Sequence, residues 1–97
     1  MTTSNLHLRI HGRVQGVSFR FHLTAQAVQF GLQGWVRNRG DGSVEAVVHG
    51  PAAGCEALAR WAQRGPSAAR VERVDTRAAT SAELALNPSG FATLPTV

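Results

Sequence analysis

The stretch Gly12-Arg13-Val14-Gln15-Gly16-Val17-Ser18-Phe19-Arg20 sets two glycines and an arginine directly ahead of a helical pattern. A tight loop containing glycine turns successive backbone N–H groups inward as an anion-binding nest. The first turn of the following helix adds unpaired N–H groups and positive partial charge. Arg20, at the junction, offers a planar fork for two oxygens of a phosphate or carboxylate. From these residues alone, an anion cradle and an ordinary turn with a surface arginine both stay open. A second segment, Gly34-Trp35-Val36-Arg37-Asn38, is followed by Gly42, Val44 and Gly50. On a strand, Trp35 and Arg37 share one side while Val36 and Asn38 share the other. Asn38 then ends a strand beside a hairpin, where an asparagine is either a turn former or a polar group aimed into a site.

The elements that must position these segments follow from periodicity. Leu6, Leu8 and Ile10 alternate with His7, Arg9 and His11, the period of a half-buried strand. Gly12 to Arg20 reads as a loop. Leu23, Ala27 and Phe30 suit one face of a helix from Phe21 to Phe30, with Gly31 as its stop. A strand over Gln33 to Arg39 leads through the hairpin signal Asp41-Gly42 to Val44, Ala46 and Val48, and ends at Gly50-Pro51. A second helix covers Ala53 to Gln63, with Cys55, Leu58, Ala59 and Ala62 inward, and Gly65-Pro66 closes it. Arg70 to Arg77 is another strand, in which Val71 and Val74 break strict alternation and mark a bulge. Phe91 to Leu94 adds an optional short edge strand. The expected fold is α+β: the ferredoxin-like split β-α-β arrangement, βαββαβ, with two helices on one face of a mainly antiparallel sheet. One domain spans residues 5–95. This topology hosts enzymes, RNA-binding domains and sensors, so it leaves function open.

Composition removes several chemistries. The chain has 97 residues, a formal charge of +4, and arginine as its only basic residue apart from histidine; there is no lysine. Schiff-base chemistry, a lysine general base and a Walker-type phosphate loop are therefore excluded. The single cysteine, Cys55, rules out an intramolecular disulfide and reads as a small core residue. No stretch approaches membrane-spanning length, and the cytoplasm is the expected location. His7 and His11 stand four residues apart on one strand, roughly 13 Å at ~3.3 Å per residue, too far to chelate one ion. His22 reads as a solvated helix residue and His49 as a surface residue. Acidic residues are few and scattered, without a carboxylate pair of the kind that holds magnesium. Neither metal nor cofactor is expected. Trp35 and Trp61 read as core or rim residues.

Taken together, the two segments resemble the acylphosphatase family. Its first signature, Gly-x-Val-Gln-Gly-Val-x-Phe-Arg, is matched from Gly12 through Arg20. Its second, Gly-aromatic-Val-Arg-Asn with later glycine, valine and glycine, is matched by Gly34, Trp35, Val36, Arg37, Asn38, Gly42, Val44 and Gly50. A softer feature is seen in Gly65, Pro66, Ala69 and Val71. The departures are Gln29-Phe30 and the tail Pro95-Thr96-Val97, which is placed to alter the rim of the site.

The resemblance implies a hydrolase that cleaves the carboxyl-phosphate anhydride of small-molecule acyl phosphates; a monomer without nucleic acid or membrane partners is expected. Arg20 would hold the phosphoryl group together with backbone N–H groups of Gln15, Gly16, Val17, Ser18 and Phe19, and Asn38 would orient the attacking water. These groups suffice in principle, because phosphoryl transfer needs in-line positioning and charge stabilisation above all, and a departing carboxylate needs no proton. An RNA-recognition domain of the same topology would carry aromatics on its central strands; Leu6–His11 and Ser43–His49 carry none. The hydrogenase maturation proteins that open with a similar domain continue for hundreds of residues with cysteine-rich zinc motifs, so a free-standing hydrolase is favoured.

Overall fold

Leu6, Leu8 and Ile10 point one way along β1 (Thr3–Arg13), the strand from which the sheet is built outward. The structure, a computed structural model, describes residues 2–97. After β1 come α1 (Phe19–Gln29), β2 (Gln33–Asn38), β3 (Val44–Pro51), α2 (Ala52–Ala62), β4 (Arg70–Ala78), α3 (Ser81–Leu84) and β5 (Phe91–Thr93). The sheet order is β4-β1-β3-β2-β5. Pairing is antiparallel throughout except between β2 and β5, which run parallel. The result is an α+β fold with a five-stranded mixed sheet and three helices.

The core follows from the alternation. Leu8 and Ile10 of β1, Val36 of β2, and Val44, Ala46 and Val48 of β3 are buried in one cluster with Phe19, Leu23 and Ala27 of α1 and Cys55, Leu58 and Ala62 of α2. Both long helices therefore cover the same face of the sheet. Each large apolar side chain so buried contributes roughly 1.5–3 kcal/mol relative to exposure. Gly31, at φ 75°, ends α1, and Leu32 donates its N–H back to the Ala27 carbonyl at 2.9 Å.

Three features differ from the expectation. First, β1 runs on to Arg13, so the loop starts later than Gly12. Gly12 pairs with Val71 in the sheet, and the position takes glycine because a Cβ there would lie 2.1 Å from the Arg70 carbonyl oxygen. The bulge expected in β4 does exist, and its cause is here: register slips between His11 opposite Arg73 and Gly12 opposite Val71, which leaves Glu72 as the extra residue.

Second, α3 was not foreseen, being only one turn long, and it lies over the other face of the sheet. Its capping box pairs Thr80 with Glu83, and the Glu83 carbonyl accepts the indole N–H of Trp35 at 2.8 Å. Two helices on one face is thus an incomplete description. Third, the opposite face is not simply solvated. His7 is 4% and Glu45 5% exposed, and the scattered acids converge: side-chain ligand atoms of His7, Glu45 and Glu83 lie within 4.8 Å of one another. Arginines occupy these carboxylates. Glu45 accepts from Arg37 at 2.8 Å and Arg39 at 2.9 Å, as well as contacting His7 at 2.7 Å, and Glu83 takes both terminal nitrogens of Arg77.

Candidate active site

At one end of the sheet, the segment between β1 and α1 comes to face the end of β2. Residues Val14, Gln15, Gly16, Ser18, Phe19, Arg20, Phe21, Thr24, Asn38 and Thr93 line an open cleft of about 590 Å³. It lies within the range of small-molecule sites, roughly 300–1,000 Å³. Among the described residues Arg20 is the only charged one in the lining, and no histidine, cysteine or carboxylate joins it.

The cradle is built by backbone. Gly16 has φ 73° and Ser18 φ 62°, the latter the one non-glycine in left-handed backbone among the described residues. Such a conformation costs of order 1–3 kcal/mol. Ser18 takes the N-cap position of α1 without capping it by its side chain. From Gln15 to Phe21, no backbone N–H donates to a backbone carbonyl among the described residues. A run of amides free at a helix N-terminus, with the chain turned left-handed at two alternate positions, is an anion nest in physical terms. Val17 alone of the expected cradle side chains is not in the lining; it packs against the core instead, leaving its N–H as the group available.

Arg20, on the first turn of α1, is half-buried and has no carboxylate partner among the described residues. Asn38 ends β2 on the same side as Val36. Its Oδ1 is buried and accepts no hydrogen bond from the described residues. An orphaned buried acceptor costs about 1–3 kcal/mol, and in a folded protein it calls for an explanation such as a partner that arrives with ligand or water. His22 and His49 are exposed, as expected, and Cys55 is buried, with burial holding its thiol above the usual range.

Other lining residues escaped sequence reasoning. Thr24 stands four residues after Arg20 on the same helix face, a spacing that would have revealed it; its hydroxyl donates to the Arg20 carbonyl at 2.8 Å. Thr93 comes from β5, and only the parallel pairing with β2 brings it near. The tail does reach the rim: Leu94 donates to the Val36 carbonyl and Val97 to that of Asn38.

Behind Asn38, the β2–β3 turn is held by charge. Arg39 donates its backbone N–H to the Ser43 carbonyl at 2.9 Å. Asp41 accepts from the Ser43 N–H and hydroxyl and from Arg9; these bonds, Ser43's foremost, hold its carboxyl far below the usual range. For Glu45, burial opposes ionisation, but bonds from His7, Arg37 and Arg39 prevail and bring its pKa down to about 2.

Among the described residues, a run of free amides, a guanidinium without a carboxylate partner and an unpartnered amide oxygen share one cleft of an α+β scaffold. The acylphosphatase family model matches residues 6–92. An acylphosphatase of Acidovorax sp. (strain JS42) is 54% identical over 77 residues, 79% of either chain. One from Rhodopseudomonas palustris (strain BisB18) is 43% identical over the full length of both. Among solved structures, an acylphosphatase from Coxiella burnetii superposes with a TM-score of 0.85 at 30% identity, covering 95% of this chain and 93% of that one. The chain belongs to the acylphosphatase family.

Proposed function

We propose that this chain hydrolyses acyl phosphates to a carboxylate and inorganic phosphate by in-line attack of water, on a ferredoxin-like βαββαβ core. The amides of Gln15, Gly16, Val17, Ser18 and Phe19 and the Arg20 guanidinium bind the equatorial phosphoryl oxygens and stabilise their charge. Asn38 Oδ1 accepts one hydrogen of the water and aims its lone pair at phosphorus. A bond forms between water oxygen and phosphorus as the bond to the acyl oxygen breaks; the carboxylate leaves with the electron pair, needing no proton. The water's remaining proton passes to a phosphate oxygen or to solvent, because an amide is no base.

The observation that carries this reading is the orphaned Asn38 Oδ1 in the same cleft as free amides and an unpaired Arg20. We also place the protein as a cytoplasmic monomer whose partner is a small-molecule acyl phosphate, with no nucleic acid or membrane. In support, Arg9, Arg37, Arg39, Arg73 and Arg77 are each engaged by a carboxylate, and among the described residues no helix is long and apolar enough to cross a membrane.

The test is a comparison of benzoyl phosphate with p-nitrophenyl phosphate, before and after exhaustive chelation. We expect turnover of the acyl phosphate only, unchanged by EDTA, since the described residues of the cleft offer no acid for an alkoxide leaving group and no histidine, cysteine or carboxylate to hold a metal. Equal turnover of the monoester, or EDTA-sensitive activity restored by magnesium or zinc, would refute the mechanism.

A further inference from the structure

The side chain of Gln15 does not point its amide at the oxyanion cradle. Its Nε2 donates to the Arg39 carbonyl at 2.8 Å and to the Ser43 carbonyl at 2.9 Å, the two ends of the turn that joins β2 to β3. The backbone N–H of the same residue belongs to the free run that begins the cradle. Arg39 directly follows Asn38. One residue therefore touches both halves of the site, through its backbone on the phosphoryl side and through its side chain on the water side.

We propose that Gln15 is a positioning residue: its side-chain amide fixes the separation between the phosphoryl cradle and the Asn38 amide, and so the in-line angle of attack. No covalent link joins the two segments nearby; Arg39 lies 24 positions beyond Gln15 in the chain. The chemistry of the contact is selective. A primary amide nitrogen carries two N–H donors on one atom, which is what two converging carbonyls require. The orientation is fixed as well, since a flipped amide would set Oε1 against both carbonyl oxygens. Glutamate has the same shape and repels them, methionine fills the volume without donating, and asparagine falls one methylene short. A misplacement of about 1 Å between reacting groups costs on the order of 10²-fold in rate.

The proposal rests on the acyl phosphate reading of the cleft, and the experiment separates the two. Gln15→Met and Gln15→Glu are compared with wild type for benzoyl phosphate turnover and for competitive inhibition by inorganic phosphate, with circular dichroism to confirm folding. Each substitution is then repeated in an Asn38→Ala background. We expect kcat to fall roughly 10- to 100-fold while KM and phosphate inhibition stay within a few-fold. In the Asn38→Ala background, the same substitutions should lower kcat less than threefold, because the water they would misalign is no longer held. Such non-additivity is the signature of two residues serving one step.

Equal losses in both backgrounds would overturn the proposal, as would phosphate inhibition that weakens in step with kcat, which would make the side chain part of the binding site. Wild-type kcat in a folded Gln15→Met protein would overturn it too. Failure of the wild type itself to turn over acyl phosphate overturns the functional reading, and this proposal with it.

Discussion

Arg20 and Asn38 differ in what they touch, and their variants should differ accordingly. In the mechanism we propose, Arg20 meets the phosphoryl group in both ground and transition states, so Arg20→Ala should lose inorganic phosphate inhibition along with activity. Loss of one such preorganised contact typically costs ~10²–10³ in rate, or roughly 3–4 kcal/mol. Arg20→Lys should not rescue it, because an ammonium lacks the planar fork. In the same mechanism Asn38 meets only the water. Asn38→Ala should cut kcat sharply and leave KM and phosphate inhibition within a few-fold of wild type. Steady-state kinetics with phosphate as inhibitor checks both, and the roles are misassigned if Asn38→Ala abolishes inhibition or Arg20→Ala preserves it. Both side chains are only half-buried, so native circular dichroism is expected throughout.

Among the elements, two glycines of one motif do different work. Gly16 carries φ 73° with nothing within 4 Å of the position a Cβ would take. Gly16→Val should therefore fold, at a cost of order 1–3 kcal/mol for the left-handed backbone, but lose most activity as the amides rotate out of the nest. Gly12 lies against β4, where a Cβ would meet the Arg70 carbonyl at 2.1 Å. Gly12→Ala should depress stability by several kcal/mol instead, through the overpacking it forces, read as a lower urea midpoint. Native stability for Gly12→Ala would contradict that division, as would full activity for Gly16→Val. The motif was legible in the sequence; this split within it was not, since only the approach of β4 distinguishes the two positions. The long elements were readable because each has a sustained period: Leu8 and Ile10 on β1, Leu58 and Ala62 on α2. Helix α3 was not, because a single turn of Ser-Ala-Glu-Leu has no period to detect and is specified by its Thr80 cap and the buried Trp35 beneath it. The cleft residues Arg20 and Asn38 were found through the signatures, whereas Thr93 and the Gln15 side chain depend on contacts across the fold that spacing cannot reveal.

For the molecule as a whole, the carboxylates on the face away from the two long helices set its response to acid. Glu45 has its pKa drawn from an ordinary 4.5 to about 2, against the opposing effect of burial, by His7, Arg37 and Arg39. Glu83 is likewise lowered to about 2, chiefly by Arg77. A depressed native value contributes stability that is fully present above the unfolded pKa and is lost as protons bind below it. Urea midpoints should thus hold steady down to about pH 4.5 and fall between there and about pH 2. Glu45→Gln should cost about 1–3 kcal/mol at neutral pH and flatten part of that decline; an unaltered acid profile would show that the network does not carry it. A further consequence lies at the sheet's margin. Among the described residues β4 has no neighbour on its outer side, which leaves a row of backbone groups open to a strand from another molecule. Along that row stand Arg70, Glu72, Arg73, Asp75 and Arg77, and the slip at Glu72 twists the strand where pairing would begin. An incoming strand must strip water from charge after charge and fit an irregular register to dock there. The same slip that lets Gly12 pass close to Arg70 thereby makes this margin a poor template for an added strand.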